Sequence, residues 1–170
     1  MTRGTRTTTA AKTTRWLTAD EQRHWRAFIS ATELLPDQLQ RELTAQHGIT
    51  NADYEILVRL SEAEGRRLRM SELAERSLSS RSRLSHQVSR MEAAGLVRRE
   101  DCTEDRRGQW AVMTEQGWAM IQAAAPDHVE SVRAHLVDQL TPAEFAALGR
   151  ACAKVVDHLQ AAEPTETARI

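Results

Sequence analysis

The sequence predicts a mainly α-helical fold carrying one small β-hairpin, and three observations predict it. Helix formers such as Ala, Leu, Glu, Gln and Arg dominate, and only 4% of the residues are aromatic. Apolar residues recur at helical spacing through the first third and the last third of the chain. Between them, Leu96-Val97-Arg98-Arg99-Glu100 and Gln109-Trp110-Ala111-Val112-Met113 read as two strands flanking a polar turn. A chain of 170 residues is one ordinary domain, or one with extensions, and it can bury a core without disulfide or metal staples.

The elements follow in order. Residues 1–15 are Thr-rich, basic and without period, which predicts a flexible arm. Thr18 with Glu21 forms a capping box for a long first helix bearing Trp25, Phe28, Ile29, Leu35, Leu39 and Leu43. Pro36 is expected to bend it and Gly48 to end it. Thr50 or Asn51 caps a second helix, with Tyr54, Leu57, Val58 and Leu60 on its apolar side, which is expected to stop near Gly65. Ser71 is the expected cap of a short third helix running to about Ser77, with Leu73 and Ala74 facing inward. Ser79 or Ser80 caps a fourth, which runs to Ala94 and is stopped by Gly95. After the hairpin, Thr114 caps a long fifth helix, with a kink expected at Pro126 and an end near Leu140. Thr141-Pro142-Ala143-Glu144 opens the last helix, which carries Phe145, Leu148, Cys152, Val155, Val156 and Leu159 on one stripe. Two short helices followed by a hairpin make a winged helix-turn-helix.

Charge is segregated although the net value is −1. Residues 59–107 hold twelve arginines against nine acids, while residues 16–58 and 108–170 each come to −4. A basic middle between acidic ends suits a nucleic-acid reader held by two scaffold segments. On the fourth helix, turning ~100° per residue puts Leu84, Val88 and Met91 on one narrow face. The opposite face carries Ser82, His86, Ser89 and Arg90, flanked by Arg83 and Ser85, and Ser80 stands at its start. Hydroxyl, imidazole and guanidinium groups are donors suited to base edges and phosphates in a major groove. A solvated polar face is the alternative, but such faces mix both charge signs, and no acid occurs from Ser77 to Met91. At the hairpin tip, Arg106 and Arg107 are placed to reach a minor groove, with Asp105 able to pair one and aim the other.

Four stretches in order carry a family resemblance. They are Arg69-Met70-Ser71-Glu72-Leu73-Ala74, Ser85 through Arg99, Asp105-Arg106-Arg107-Gly108, and Met113-Thr114-Glu115-Gln116-Gly117. Over residues 18–160 the chain resembles the MarR (multiple antibiotic resistance regulator) family. The resemblance implies a triangular homodimer with interlocked first and last helices, and double-stranded DNA as partner. It implies Ser85, His86 and Arg90 as base-reaching positions and Arg107, braced by Asp105, as the wing arginine. At His86 many relatives carry an arginine. The implied layout is an arm over 1–17, a dimerisation helix and second helix over 18–65, and a winged DNA-binding lobe over 66–113. C-terminal dimerisation helices over 114–162 and a tail over 163–170 complete it. A pseudo-palindromic operator follows from the two-fold symmetry, with half-sites about one helical turn apart. The expected function is that of a transcriptional regulator acting as a repressor. Family likeness also places a small aromatic or phenolic ligand where dimer helices meet the lobe, with His24, Trp25, Phe28, Tyr54 and His128 as candidate lining. Plain core packing of those aromatics, and a constitutive regulator, is the alternative.

Other classes find little support. Two cysteines, Cys102 and Cys152, make no disulfide framework and fit a cytoplasmic location; a redox role for Cys102 rests on nothing in the sequence. No run approaches the ~18 apolar residues of a membrane span, and no apolar signal core opens the chain. Six histidines are scattered without ligand spacing, so no metal or other cofactor is expected. Phosphate loops, nucleophile elbows, H-E-x-x-H and paired carboxylates are missing, which argues against an enzyme. A winged helix that docks protein would want an apolar recognition face, and this one is polar.

Overall fold

The computed structural model describes residues 14–77, 80–102 and 108–162. Residues 1–13 of the expected basic arm, Ser79, the wing tip over 103–107 and the tail from 163 lie outside the described residues. Helices α1 (Ala19–His47), α2 (Asn51–Ser61), α3 (Met70–Arg76), α4 (Arg81–Ala93), α5 (Glu115–His135) and α6 (Pro142–Ala162) accompany strands β1 (Arg67–Arg69), β2 (Val97–Asp101) and β3 (Gln109–Met113). The arrangement is a winged helix-turn-helix with a small antiparallel sheet. Two compact units are distinguished, one up to Leu34 and one from Leu35 onward, with the border inside α1 beside Pro36.

In the first unit, the start of α1 is the expected capping box. Glu21 Oε2 accepts the Thr18 N–H at 2.8 Å, and Thr18 Oγ1 accepts the Glu21 N–H at 3.2 Å.

In the second unit, α1 ends at Gly48, whose φ of +69° is a left-handed stop that glycine adopts without strain. Thr50 caps α2 through a second box, with Asp53 as its returning carboxylate. The helix stops at Ser61, earlier than the expected end near Gly65. A 3-10 turn over Glu64–Arg66 follows, and Gly65 and Arg66 both take positive φ there to turn the chain.

That turn delivers a strand the sequence reading did not contain. Arg67–Arg69 pairs antiparallel with β3, setting Leu68 opposite Ala111, and β2 pairs with the other side of β3. Three residues are too few to show a period; the ladder with β3 makes them a strand. Because Arg69 is still in that ladder, it is also the N-cap residue of α3. The expected cap at Ser71 is therefore corrected: Ser71 lies inside the helix. Helix α5 ends at His135, short of Leu140, where Leu136 leaves helical φ/ψ and a 3-10 turn begins. Both α1 and α5 continue through their prolines. Leu57, Leu60, Leu73, Val88, Ala111 and Ala124 are fully buried at the centre of a core shared by α2, α3, α4, the sheet and α5.

Candidate nucleic-acid interface

Helix α4 begins where the sequence places its cap. Ser80 is extended (φ −64°, ψ 147°), and its hydroxyl accepts the Arg83 N–H at 3.4 Å. Leu84, Val88 and Met91 are 2%, 0% and 1% exposed. Ser82, Arg83, Ser85, His86, Ser89 and Arg90 are all exposed, as is Ser80. One side of the helix is thus core and the other is solvent-facing, with no acid in its first turn.

The C-terminus of α4 is held by backbone. Leu96 N–H bonds the Met91 carbonyl and Gly95 N–H the Glu92 carbonyl, both at 2.9 Å, with Gly95 at φ +73°. This is a Schellman stop. The Thr114 N–H then donates to the Leu96 carbonyl at 3.1 Å, and the Thr114 hydroxyl reaches the Gly95 carbonyl at 2.7 Å while accepting Gly117 N–H at 3.0 Å. A Cβ on Gly117 would lie 2.1 Å from the Leu96 carbonyl oxygen, so only glycine fits. The Thr114-x-x-Gly117 spacing is thus a joint between the end of α4 and the start of α5.

A second brace comes from the wing and was not anticipated. Arg99 on β2 donates through Nη2 to the Ser85 carbonyl at 2.7 Å and to Ser89 Oγ at 2.9 Å. Its backbone N–H donates to Glu92 Oε1 at 2.9 Å. Ser89 in turn donates its hydroxyl hydrogen to the Ser85 carbonyl at 2.9 Å. Arg99 therefore ties the hairpin to the middle of α4, and Ser89 is engaged in that tie as well as exposed. The only sequence signal was an arginine following the expected start of a strand. It does not reveal a partner 10 or 14 residues earlier.

The described base of the wing is closed by Cys102 N–H on the Gly108 carbonyl at 2.9 Å. Asp105, Arg106 and Arg107 lie outside the described residues. Beside the wing, Arg67 and Arg69 place their guanidinium carbons 4.8 and 5.3 Å from the Trp110 ring centre. Arg66 stacks on Trp118 at 3.9 Å, 3.5 Å from Glu115. The Arg67-Leu68-Arg69 alternation, with only Leu68 buried, was the available signal for this basic edge.

The five ligand candidates fall into two groups. In the first unit Trp25 and Phe28 have ring centres 6.1 Å apart and are exposed, as is His24. In the second unit Tyr54 and His128 stack at 4.2 Å, half-buried. Burial pushes the Tyr54 phenol up and the His128 imidazole down, which favours the neutral form of each. Cys102 is buried and Cys152 exposed. An open cleft of about 830 Å³ lies elsewhere, between α2, α3 and the sheet; Glu62, Glu72, Glu100, Arg76 and Arg98 line it, which does not suit an apolar ring.

Comparison with known proteins agrees with this geometry. A profile of the MarR family matches residues 47–108. AbsC, a MarR family transcriptional regulator from Streptomyces coelicolor, is 50% identical with a TM-score of 0.84, over 87% of this chain and 99% of that one. Sco3205, a MarR family regulator from the same organism solved in complex with DNA, is 44% identical with a TM-score of 0.86, over 92% and 97%. The HTH-type transcriptional regulator PrsX of Escherichia coli is 31% identical over 94 residues, 55% of this chain. The match spans 56% of PrsX, about half the length of that curated relative.

Proposed function

The chain belongs to the MarR family, and on that premise we propose that it is a sequence-specific DNA-binding transcriptional regulator, a repressor acting as a homodimer on a pseudo-palindromic operator. The observation that carries this is the exposed face of α4, which has no acid from Ser80 to Met91 and is held at its start by a cap, at its end by a backbone joint and in its middle by Arg99. A helix fixed at three points presents Arg83, His86 and Arg90 in a set geometry, as groove reading requires. A relative at 44% identity solved with DNA supports the same reading. The exposed apolar stripe of α6, with Phe145, Leu148, Val155, Val156 and Leu159, supports the homodimer, since a second copy would cover it. A regulator that acts on DNA would work in the cytoplasm, and that location belongs to the same proposal. Among the described residues no helix is long and apolar enough to cross a membrane.

Selection of bound fragments from random duplex DNA tests this, together with sedimentation and a salt titration. Two-fold-related half-sites, a dimer, and a log–log salt slope rising by about 0.9 per neutralised phosphate are expected. A flat salt response or a monomer at micromolar concentration overturns it. His86→Ala should change the preferred base, at roughly 1–3 kcal/mol for one lost base contact; an unchanged preference reassigns His86 to phosphate or solvent.

Regulation by a small phenolic or aromatic ligand belongs to the same proposal, centred in the second unit on Tyr54 and His128. A neutral imidazole accepts a phenolic hydrogen, and the neighbouring ring offers a stacking face. Such a ligand lowers DNA affinity only by its differential affinity for the free and bound states. A thermal-shift screen of phenolic acids followed by operator titration tests it; hits that leave operator affinity unchanged overturn the switch.

A further inference from the structure

A line of polar contacts runs from α1 to the exposed face of α4. Gln40 Oε1 accepts the Asn51 N–H at 2.8 Å, and Asn51 Nδ2 donates to the Pro36 carbonyl at 2.9 Å, which fixes the first residue of α2. Thr50 donates its N–H to Asp53 Oδ2 at 2.9 Å, and the Thr50 hydroxyl lies 2.6 Å from the same oxygen. The cap of α2 thus uses Oδ2 alone. Asp53 Oδ1 takes a different partner, 34 residues on: Gln87 Nε2 of α4 donates to it. Gln87 Oε1 then accepts from Arg90 Nη2.

Hydrogen-bond polarity fixes the order of this line. A carboxylate only accepts, so Gln87 must turn its NH2 group toward Asp53 and its oxygen away. A guanidinium only donates, and that outward oxygen is the acceptor it meets. Arg90 is exposed and has many rotamers; one that is held loses less freedom when it meets a ligand. We propose that Asp53 and Gln87 are positioning residues that set the orientation of Arg90, Gln87 by direct contact and Asp53 through Gln87. The inference rests on the DNA-binding reading above and adds residues that do not themselves touch DNA.

The test uses the full chain and the operator selected from random duplex DNA. Gln87→Met keeps side-chain length and helix propensity while removing the amide, and leaves the Thr50–Asp53 cap intact. It should lower the ratio of operator to non-specific affinity about tenfold, within the coupling that contacting residues show. The loss should fall at the base positions that Arg90→Ala relaxes, with the melting temperature moved by less than roughly 2 °C. In an Arg90→Ala background Gln87→Met should cost nothing further. Asp53→Ala should lower the melting temperature through its cap, while its effect on specificity vanishes in a Gln87→Met background. A wild-type chain that selects no sequence overturns the DNA reading itself. A wild-type chain that selects an operator which Gln87→Met binds equally well overturns the positioning role. So does a Gln87→Met loss that persists undiminished without Arg90.

Discussion

In α4 the apolar side is closed off by its own lobe: Leu84, Val88 and Met91 are at most 2% exposed. In α6 the apolar side stands open, with Phe145, Leu148, Val155, Val156 and Leu159 between 37% and 58% exposed. Both helices have the same amphipathic grammar, so composition alone does not separate them. What separates them is whether the chain supplies a partner for the stripe. A helix whose stripe is satisfied at home can offer its polar face to a foreign molecule. One whose stripe is left open needs a second protein surface, because several large apolar groups in a row exceed ordinary surface scatter.

The strongest way to break this contrast is to remove α6. Truncation before Thr141 takes away five large apolar side chains, each worth about 1.5–3 kcal/mol when fully buried. Sedimentation should show aggregate or monomer without operator binding; a soluble, DNA-competent truncation would place the dimer contact elsewhere. The matching change in α4 is Leu84→Ala, which should cost about 2–5 kcal/mol in denaturant unfolding because the cavity forms inside a closed core. The folded fraction should keep its oligomeric state, which sharpens the division of labour between the two helices.

Arg99→Ala tests the brace on the polar side of α4. Loss of its hydrogen bonds to Ser85 and Ser89 should cost about 1–3 kcal/mol of stability and weaken operator binding. Arg99→Lys should restore little, since a point ammonium does not reproduce the planar fork. Urea unfolding and operator titration of both variants decide it.

The smallest effect concerns the tether between α1 and α5. Hydrogen bonds from Ser131, Gln38 and His135 hold the Glu42 carboxyl down to about 2, from an ordinary 4.5. The folded chain therefore favours the carboxylate more than the unfolded chain does. Its contribution is complete above the ordinary carboxylate range and is lost as pH falls from about 4.5 toward about 2. Glu42→Gln should flatten the acid limb of thermal stability in that window. The oligomeric state seen by sedimentation should stay as it was, since Glu42 is not part of the open stripe of α6.

Local chemistry was legible in the sequence. The caps at Thr18, Thr50, Ser80, Thr114 and Thr141 stand where the reading put them or among its alternatives, because a cap and its partner lie three residues apart. The stops at Gly48 and Gly95 and the buried side of α4 were legible for the same reason. Features that depend on distant partners were not. Strand β1 exists through β3, about 43 residues on, and by holding Arg69 in a ladder it moves the start of α3 ahead of Ser71. The grip of Arg99 on α4 and of Asp53 on Gln87 likewise has no local period to reveal it.

On α4, the parts that hold the helix are its cap, its buried stripe, its glycine stop and the groups bonded to Arg99 and Asp53. Among the described residues the Arg83 guanidinium and the His86 imidazole belong to none of these. On the DNA-binding reading proposed above, these two exposed positions can change with little cost to the helix that carries them. On that same reading, one copy of a duplicated gene can drift toward a new address on the chromosome by exchanging those two letters while inheriting the whole frame unchanged.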